Sequence, residues 1–150
     1  MFELILDLAL AVIRGAIDAS RAETARARER TLAARWSRFA KDRGMQSIGS
    51  GRRLRGVVDG AVIVIDTGAW AHSDGTIVIF SARSPALPAA KPTAEMRAAF
   101  EALRAPYEFT CDAGGIKLVI DGPLAKLDAI DAACAAVAEL ARGPSLRPYR

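Results

Sequence analysis

Residues 2 to 18 combine a wide apolar surface with one narrow polar stripe. Glu3, Asp7, Arg14 and Asp18 follow one another at spacings of four, seven and four residues, which places them on one side of an α-helix. The rest of this surface carries large apolar side chains: Leu4, Ile5, Leu6, Leu8, Leu10, Val12, Ile13 and Ile17. It is too wide for a helix that rests on a core and turns its other half to water. We therefore expect a partner to cover it.

The helical pattern continues to Arg43 in good helix formers without proline, and Gly44 is a typical stop signal. The pattern predicts one long helix over residues 2–43, or two helices joined near Gly15 to Ser20. A continuous helix of this length would extend about 60 Å, so it either projects or pairs.

From Leu54 the apolar period becomes that of β-strands. Asp59-Gly60 lies between two apolar runs, a pattern typical of a hairpin with a type I′ turn, and Asp112-Ala-Gly-Gly115 predicts a second hairpin. The predicted strands are 54–58, 61–65, 76–82, 107–111 and 116–120.

Two further helices are predicted. Thr93 is placed as the N-cap of a helix over 94–103, and Pro123 as the first residue of a helix that ends before Gly143. The fold class is therefore α+β: a long N-terminal helix, then an antiparallel sheet of about five strands in the order β-β-β-α-β-β-α, covered by two helices. We divide the chain into a helix (1–44), a core domain (45–143) and a flexible basic tail (144–150).

Composition limits the chemistry. The chain has 150 residues, 51% of them hydrophobic and 25% charged, which fits one globular domain. Cys111, Cys134 and the single histidine, His72, are too few for a disulfide framework or a closed Cys/His zinc site. No Walker loop, G-x-G-x-x-G, H-E-x-x-H or G-x-S-x-G motif is present. The sequence thus favours a protein that is not an enzyme, with no cofactor and no metal site.

One motif points to catalysis. Ile63-Val-Ile-Asp-Thr-Gly-Ala69 resembles the active-site turn of retroviral-type aspartic proteases, in which two such turns meet and their aspartates share a proton. The resemblance implies Asp66 as the catalytic carboxylate of an alternative, hydrolytic function. The sequence departs from that family in lacking a recognisable flap hairpin and in having Trp70 after the turn. An ordinary strand end explains Asp66-Thr67-Gly68 equally well.

Three polar residues of one loop, Asp66, His72 and Asp74, have side chains of the types that ligate divalent ions. A single histidine with two carboxylates is more typical of a solvated loop, so no metal site is predicted there. Cys111 and Cys134 fall on a strand and on an apolar helix stripe, where both are expected to be buried as small hydrophobic residues.

Basic residues are concentrated in the first 55 residues, which carry twelve Lys and Arg against six Asp and Glu. Three interpretations remain open. The basic residues form a nucleic-acid surface that contacts phosphates without reading bases, a membrane signal next to an apolar helix, or the solvated face of a long helix. Arg outnumbers Lys 17 to 4, a bias that a GC-rich genome also produces.

A broader resemblance runs from Trp36 to Ala82. The helix end, the stretch Gly-Arg-Arg-Leu-Arg-Gly-Val-Val-Asp-Gly at residues 51–60 and the paired short strands are similar to a class of uncharacterised bacterial α+β proteins. In that class a β-rich domain follows an N-terminal membrane helix and a basic stretch, and the resemblance implies no activity. Here Glu3, Asp7 and Arg14 interrupt the helix, which favours a helix that lies on a membrane surface or pairs with itself.

We therefore predict a non-enzymatic interaction module that self-associates, attaches to a membrane surface, or both. The predicted partners are a second copy of the chain (homodimer or higher), an anionic membrane surface, and, less favoured, nucleic acid bound non-specifically by the basic helix. The expected location is the cytoplasm or the inner face of the membrane, since the segment does not resemble a secretory signal. The predicted binding residues are Ile5, Leu8, Val12 and Ile13 for apolar contact, with Arg35, Arg38 and Arg43 as a basic supplement.

Overall fold

A computed structural model describes residues 2–49, 53–67, 76–84, 87–121, 124 and 126–143. The long helix is continuous: α1 covers Phe2–Asp42 without a break near Gly15. The chain divides into two compact units, Met1–Trp36 and Ser37–Arg150. The first unit is α1 up to Trp36, and the second contains the last turns of α1 and all the other helices and strands.

The second unit is an α+β domain, as predicted. Its elements after α1 are β1 (Gln46–Ile48), β2 (Arg53–Val58), β3 (Ala61–Asp66), β4 (Ile77–Ser81), α2 (Ala94–Glu101), β5 (Tyr107–Asp112), β6 (Gly115–Ile120) and α3 (Ala129–Arg142). In the described residues the strands form one antiparallel sheet in the order β1-β2-β3-β4-β6-β5. The sheet therefore has six strands, where the sequence predicted about five.

Local turn chemistry explains the two hairpins. Asp59 and Gly60 both have positive φ angles, 48° and 83°, as a type I′ turn between β2 and β3 requires. The β5–β6 hairpin closes between Asp112 and Gly115, and the Asp112 carboxylate accepts a hydrogen bond from the Gly114 amide at 2.7 Å. A Cβ atom at Gly115 would lie 2.7 Å from the Phe80 ring and 3.0 Å from the Ser81 carbonyl oxygen, so only glycine fits there.

The core lies between one face of the sheet and α3. Alternate residues of the central strands are completely buried, among them Ile63, Ile65, Ile79 and Leu118. α3 contributes buried residues at helical spacing: Ile130, Ala133, Cys134, Ala136, Val137 and Ala138. α2 packs beside α3, where the fully buried Phe100 contacts the rings of Tyr107 and Phe109, each at a centroid distance of 5.5 Å.

Two predicted helix boundaries need correction. α3 begins at Ala129 and not at Pro123, a residue outside the described part of the chain; Leu124 is buried and Leu127 half-buried, but neither is helical. α2 ends at Glu101 and not at Leu103, because the chain turns through Arg104 with a φ of 53°. The Thr93 N-cap is confirmed, since its hydroxyl accepts a hydrogen bond from the Met96 amide at 3.2 Å.

Candidate interaction surface

The N-terminal part of α1 is exposed along its length. Every side chain described between Glu3 and Thr31 is exposed, including the predicted contact residues Ile5, Leu8, Val12 and Ile13 at 63%, 68%, 65% and 54%. Leu4, Leu6, Leu10 and Ile17 are exposed as well. Together these eight side chains, which we call the helix patch, expose on the order of 700 Å², if a free aliphatic residue exposes about 150 Å².

The size of the helix patch distinguishes an ordinary monomer surface from a binding surface. The largest apolar patch of a typical monomer is about 300–600 Å², and a standard interface buries about 800 Å² on each partner. Covering the helix patch completely would contribute about 18 kcal/mol at 25 cal/mol per Å². This gross figure exceeds the range of about 4–15 kcal/mol estimated for the entropic cost of association, so the helix patch is large enough to drive binding.

A second apolar surface, which the sequence analysis did not identify, lies on the open face of the sheet. The strand register places Val57 opposite Val62 and Val64 opposite Phe80 on this face. Ile48, Val57, Val62 and Phe80 are its exposed members, and their exposed area is about 300 Å² on the same basis. This value is ordinary for a monomer, so the sheet face does not require a partner. The unbroken apolar run of β3, which places apolar side chains on both faces of the strand, is the signal that could have identified it.

The predicted basic supplement divides into two parts. Arg35 and Arg38 are exposed on the helix. Arg43 is half-buried at the helix end, where its guanidinium donates two hydrogen bonds to the Asp131 carboxylate and one, at 3.2 Å, to Asp128. It also lies 3.8 Å above the Phe39 ring. The hydrogen bonds with Asp131 raise the pKa of Arg43, so the arginine stays charged. Its guanidinium is thus engaged in ion pairs within the second unit.

Asp66 lies at the end of β3, on the open face of the sheet and directly across from Arg53. The Arg53 Nε donates a hydrogen bond to the Asp66 carboxylate at 2.8 Å. The positive guanidinium of Arg53 therefore balances the negative charge of Asp66. In a protease of the resembled type the second carboxylate would come from the same turn of a second copy. Gly68, His72 and Asp74 lie outside the described residues, so the rest of that turn and the predicted loop trio are not placed.

The described residues form no metal centre of the usual kind. Within those ranges, no group of three or more His, Cys, Asp or Glu side chains is arranged to hold a metal ion. A shallow groove of about 280 Å³ runs between α2 and α3. Its floor and rim are Asp59, Glu95, Met96, Ala99, Ala132, Ala135, Ala136, Glu139 and Arg142. The rim carries both acidic and basic side chains, so its charge does not indicate which class of ligand would bind.

The two cysteines differ in environment. Cys134 is 2% exposed, as predicted, and burial raises the pKa of its thiol to about 12. Cys111 is only half-buried, and its Sγ accepts a hydrogen bond from Arg83 Nη1 at 3.0 Å. The prediction of a fully buried residue was therefore wrong for Cys111, because β5 is an edge strand of the sheet.

Comparisons with known proteins add no functional assignment. No family model, curated protein or solved structure matches the chain. Among the helices in the described ranges, none has an apolar stretch long enough to cross a membrane. The helix patch is thus the strongest candidate for a functional surface.

Proposed function

We propose that this protein is a non-enzymatic interaction module that self-associates through the helix patch. The observation that supports this proposal is the exposed apolar area on α1, which is about twice that of the sheet face and close to what one side of a stable interface buries. When the helix patches of two copies pack against each other, apolar area is removed from water on both copies.

The position of the polar residues agrees with this proposal. Glu3, Asp7, Arg14 and Asp18 form one stripe and remain hydrated when the other side of the helix is covered. In α3, a helix of the core, the large apolar side chains Ile130, Val137 and Leu140 lie on one side, and small alanines cover most of the remaining surface. The width of the helix patch therefore fits an assembly better than a single folded chain.

Attachment to an anionic membrane surface is the second candidate. Arg35 and Arg38 are exposed on the same helix, and each basic residue near an anionic membrane contributes about 1 kcal/mol. A helix of this kind lies in the plane of the interface with its apolar side inserted. Self-association is the simpler proposal because it needs no second component.

The protease and nucleic-acid alternatives have less support. Asp66 forms an ion pair with Arg53, so within this chain its carboxylate has a guanidinium neighbour and not the second carboxylate that the protease chemistry uses. A nucleic-acid surface would use the basic residues but would leave the helix patch uncovered.

The experiment compares two valines of nearly equal exposure, Val12 on the helix and Val57 on the sheet, at 65% and 69%. We expect the wild-type chain to sediment as a dimer or larger at micromolar concentration, at both low and high salt. A Leu8→Asp, Val12→Asp variant is expected to sediment as a monomer, because four buried carboxylates per dimer cost far more than the lost apolar contacts. The matched Val57→Asp variant should behave as the wild type.

Leu8→Ala, Val12→Ala is a milder variant that preserves helix propensity. Monomeric wild-type protein at every concentration, or equal dissociation of the Val57→Asp variant, would contradict self-association through the helix patch. Flotation with anionic vesicles tests the second candidate. Membrane attachment predicts loss of flotation in both the Leu8/Val12 variant and an Arg35→Gln, Arg38→Gln variant.

A further inference from the structure

Two members of the helix patch and two neighbouring alanines form a stripe with the spacing of a coiled-coil seam. Ile5, Ala9, Val12 and Ala16 follow one another at intervals of four, three and four residues, and all four are exposed. On a helix with 100° between residues their mean direction is opposite to that of the polar stripe of Glu3, Asp7, Arg14 and Asp18. The seam is therefore the centre line of the helix patch.

We infer that the seam binds the same seam of a second copy in antiparallel orientation, with Ile5 against Ala16 and Ala9 against Val12. This inference rests on the proposed self-association and adds its geometry. In this register each layer pairs one large residue with one small residue, and four such layers have nearly equal volume. A parallel pair would stack Ala9 on Ala9 and Ala16 on Ala16, which leaves thin layers between the thick ones of Ile5 and Val12.

Charge favours the same orientation. Residues 21–43 carry eight Lys and Arg against three Asp and Glu, a net charge of +5. A parallel pair would hold these two basic segments side by side, about 10 Å apart. In the antiparallel register the two Arg21 positions are about 30 Å apart along the axis, and the basic segments extend away from each other. Because charges are screened over about 8 Å at physiological salt, the antiparallel pair avoids most of this repulsion.

The pair does not cover the entire helix patch. Leu4, Leu10 and Ile17 lie outside the seam, on the flanks of the helix. A second antiparallel pair can pack on the flank that carries Leu10 and Ile17, so a dimer and a tetramer both contain the proposed contact.

Disulfide cross-linking tests the orientation. The variants are Ile5→Cys and Ala16→Cys, each in a Cys111→Ala background, with the buried Cys134 retained. In the antiparallel register the two copies of residue 5 are about 16 Å apart along the axis, too far for a disulfide, whose Cα atoms lie within about 7 Å. An equimolar mixture should therefore cross-link under mild oxidation at least tenfold faster than either variant alone. Faster cross-linking of each single variant would overturn the inference in favour of a parallel pair.

A spin-label measurement avoids any change in the seam. Arg28 is exposed and lies beyond the seam, so an Arg28→Cys variant, labelled in the same Cys111→Ala background, preserves the contact itself. The antiparallel register predicts an inter-label distance of about 50 Å, whereas a parallel pair predicts less than about 25 Å. Sedimentation of the same samples separates the two proposals. A monomer would refute both the self-association and the antiparallel pair, while an oligomer with the short distance would refute only the antiparallel pair.

Discussion

Alkaline titration of Cys134 gives a quantitative test of the core of the second unit. The thiol is 2% exposed on α3 and faces the sheet among fully buried residues. Burial, and to a smaller degree the negative charge of Asp131, raise the pKa of Cys134 from its ordinary value of 9.0 to about 12, against a smaller opposing effect of Arg43. Folding therefore holds the proton on this sulfur.

The raised pKa determines both the sign and the pH range. Below pH 9 the thiol is protonated in the folded and the unfolded chain, so its contribution to stability is fully present. Between pH 9 and 12 only the unfolded chain loses the proton, and the free energy of unfolding decreases as the pH rises. With about 1.4 kcal/mol for each pKa unit, the loss is about 1.4 kcal/mol at pH 10 and about 2.7 kcal/mol at pH 11.

The assay is urea denaturation of the wild type and of a Cys134→Ala variant across this range. At neutral pH the variant should be less stable by about 1 kcal/mol, because alanine leaves a small cavity. Near pH 10 the two free energies of unfolding should become equal, and above it the variant should be the more stable protein. Other groups titrate equally in both proteins and cancel in the difference. A difference that stays constant from about pH 8 to about pH 11 would refute the reasoning.

Two smaller predictions concern the contacts that hold the helices. Asp131→Asn should lower the free energy of unfolding by about 1 kcal/mol, because it removes the bidentate partner of Arg43. Asp128→Asn should change it by less than about 0.5 kcal/mol, because this carboxylate is 90% exposed. Urea denaturation measures both, and equal effects would contradict the assignment of Asp131 as the main partner of Arg43. Thr93→Ala should cost about 1 kcal/mol by removing the N-cap of α2, and Thr93→Ser should restore most of it in the same assay.

The elements with a periodic apolar pattern were predictable from sequence, and a strand without such a pattern was missed. The hairpin at Asp59-Gly60 and the cap at Thr93 follow from side-chain chemistry and were found. β1 was missed because it is a three-residue edge strand with every residue exposed, so no apolar alternation marks it. The start of α3 was wrong because Leu124 and Leu127 extend the apolar spacing of the helix from a non-helical turn.

For the candidate surface, local properties were predictable from sequence, and contacts between distant parts of the chain were not. The width of the apolar pattern over residues 3–17 is a local property. It singled out Ile5, Leu8, Val12 and Ile13, which are exposed, and their role in contact stays a prediction. The role of Arg43 was not visible, because its partner Asp131 is 88 residues away in the chain and the sequence shows no link between them. The exposed sheet face depends on the register of β2, β3 and β4, which is likewise non-local.

The proposed self-association would also affect the stability of α1 itself. Most of the stability of helices in proteins comes from the packing of an apolar face, because each residue gains little free energy from helix formation alone. Several alanines between Phe2 and Trp36 favour helix, but Gly15 opposes it by about 1 kcal/mol, and the repeated arginines at Arg26 and Arg30 repel each other. Packing of Ile5, Ala9, Val12 and Ala16 against a second copy would supply the missing stabilisation at the N-terminal end. Self-association would then be what makes the first unit a stable helix.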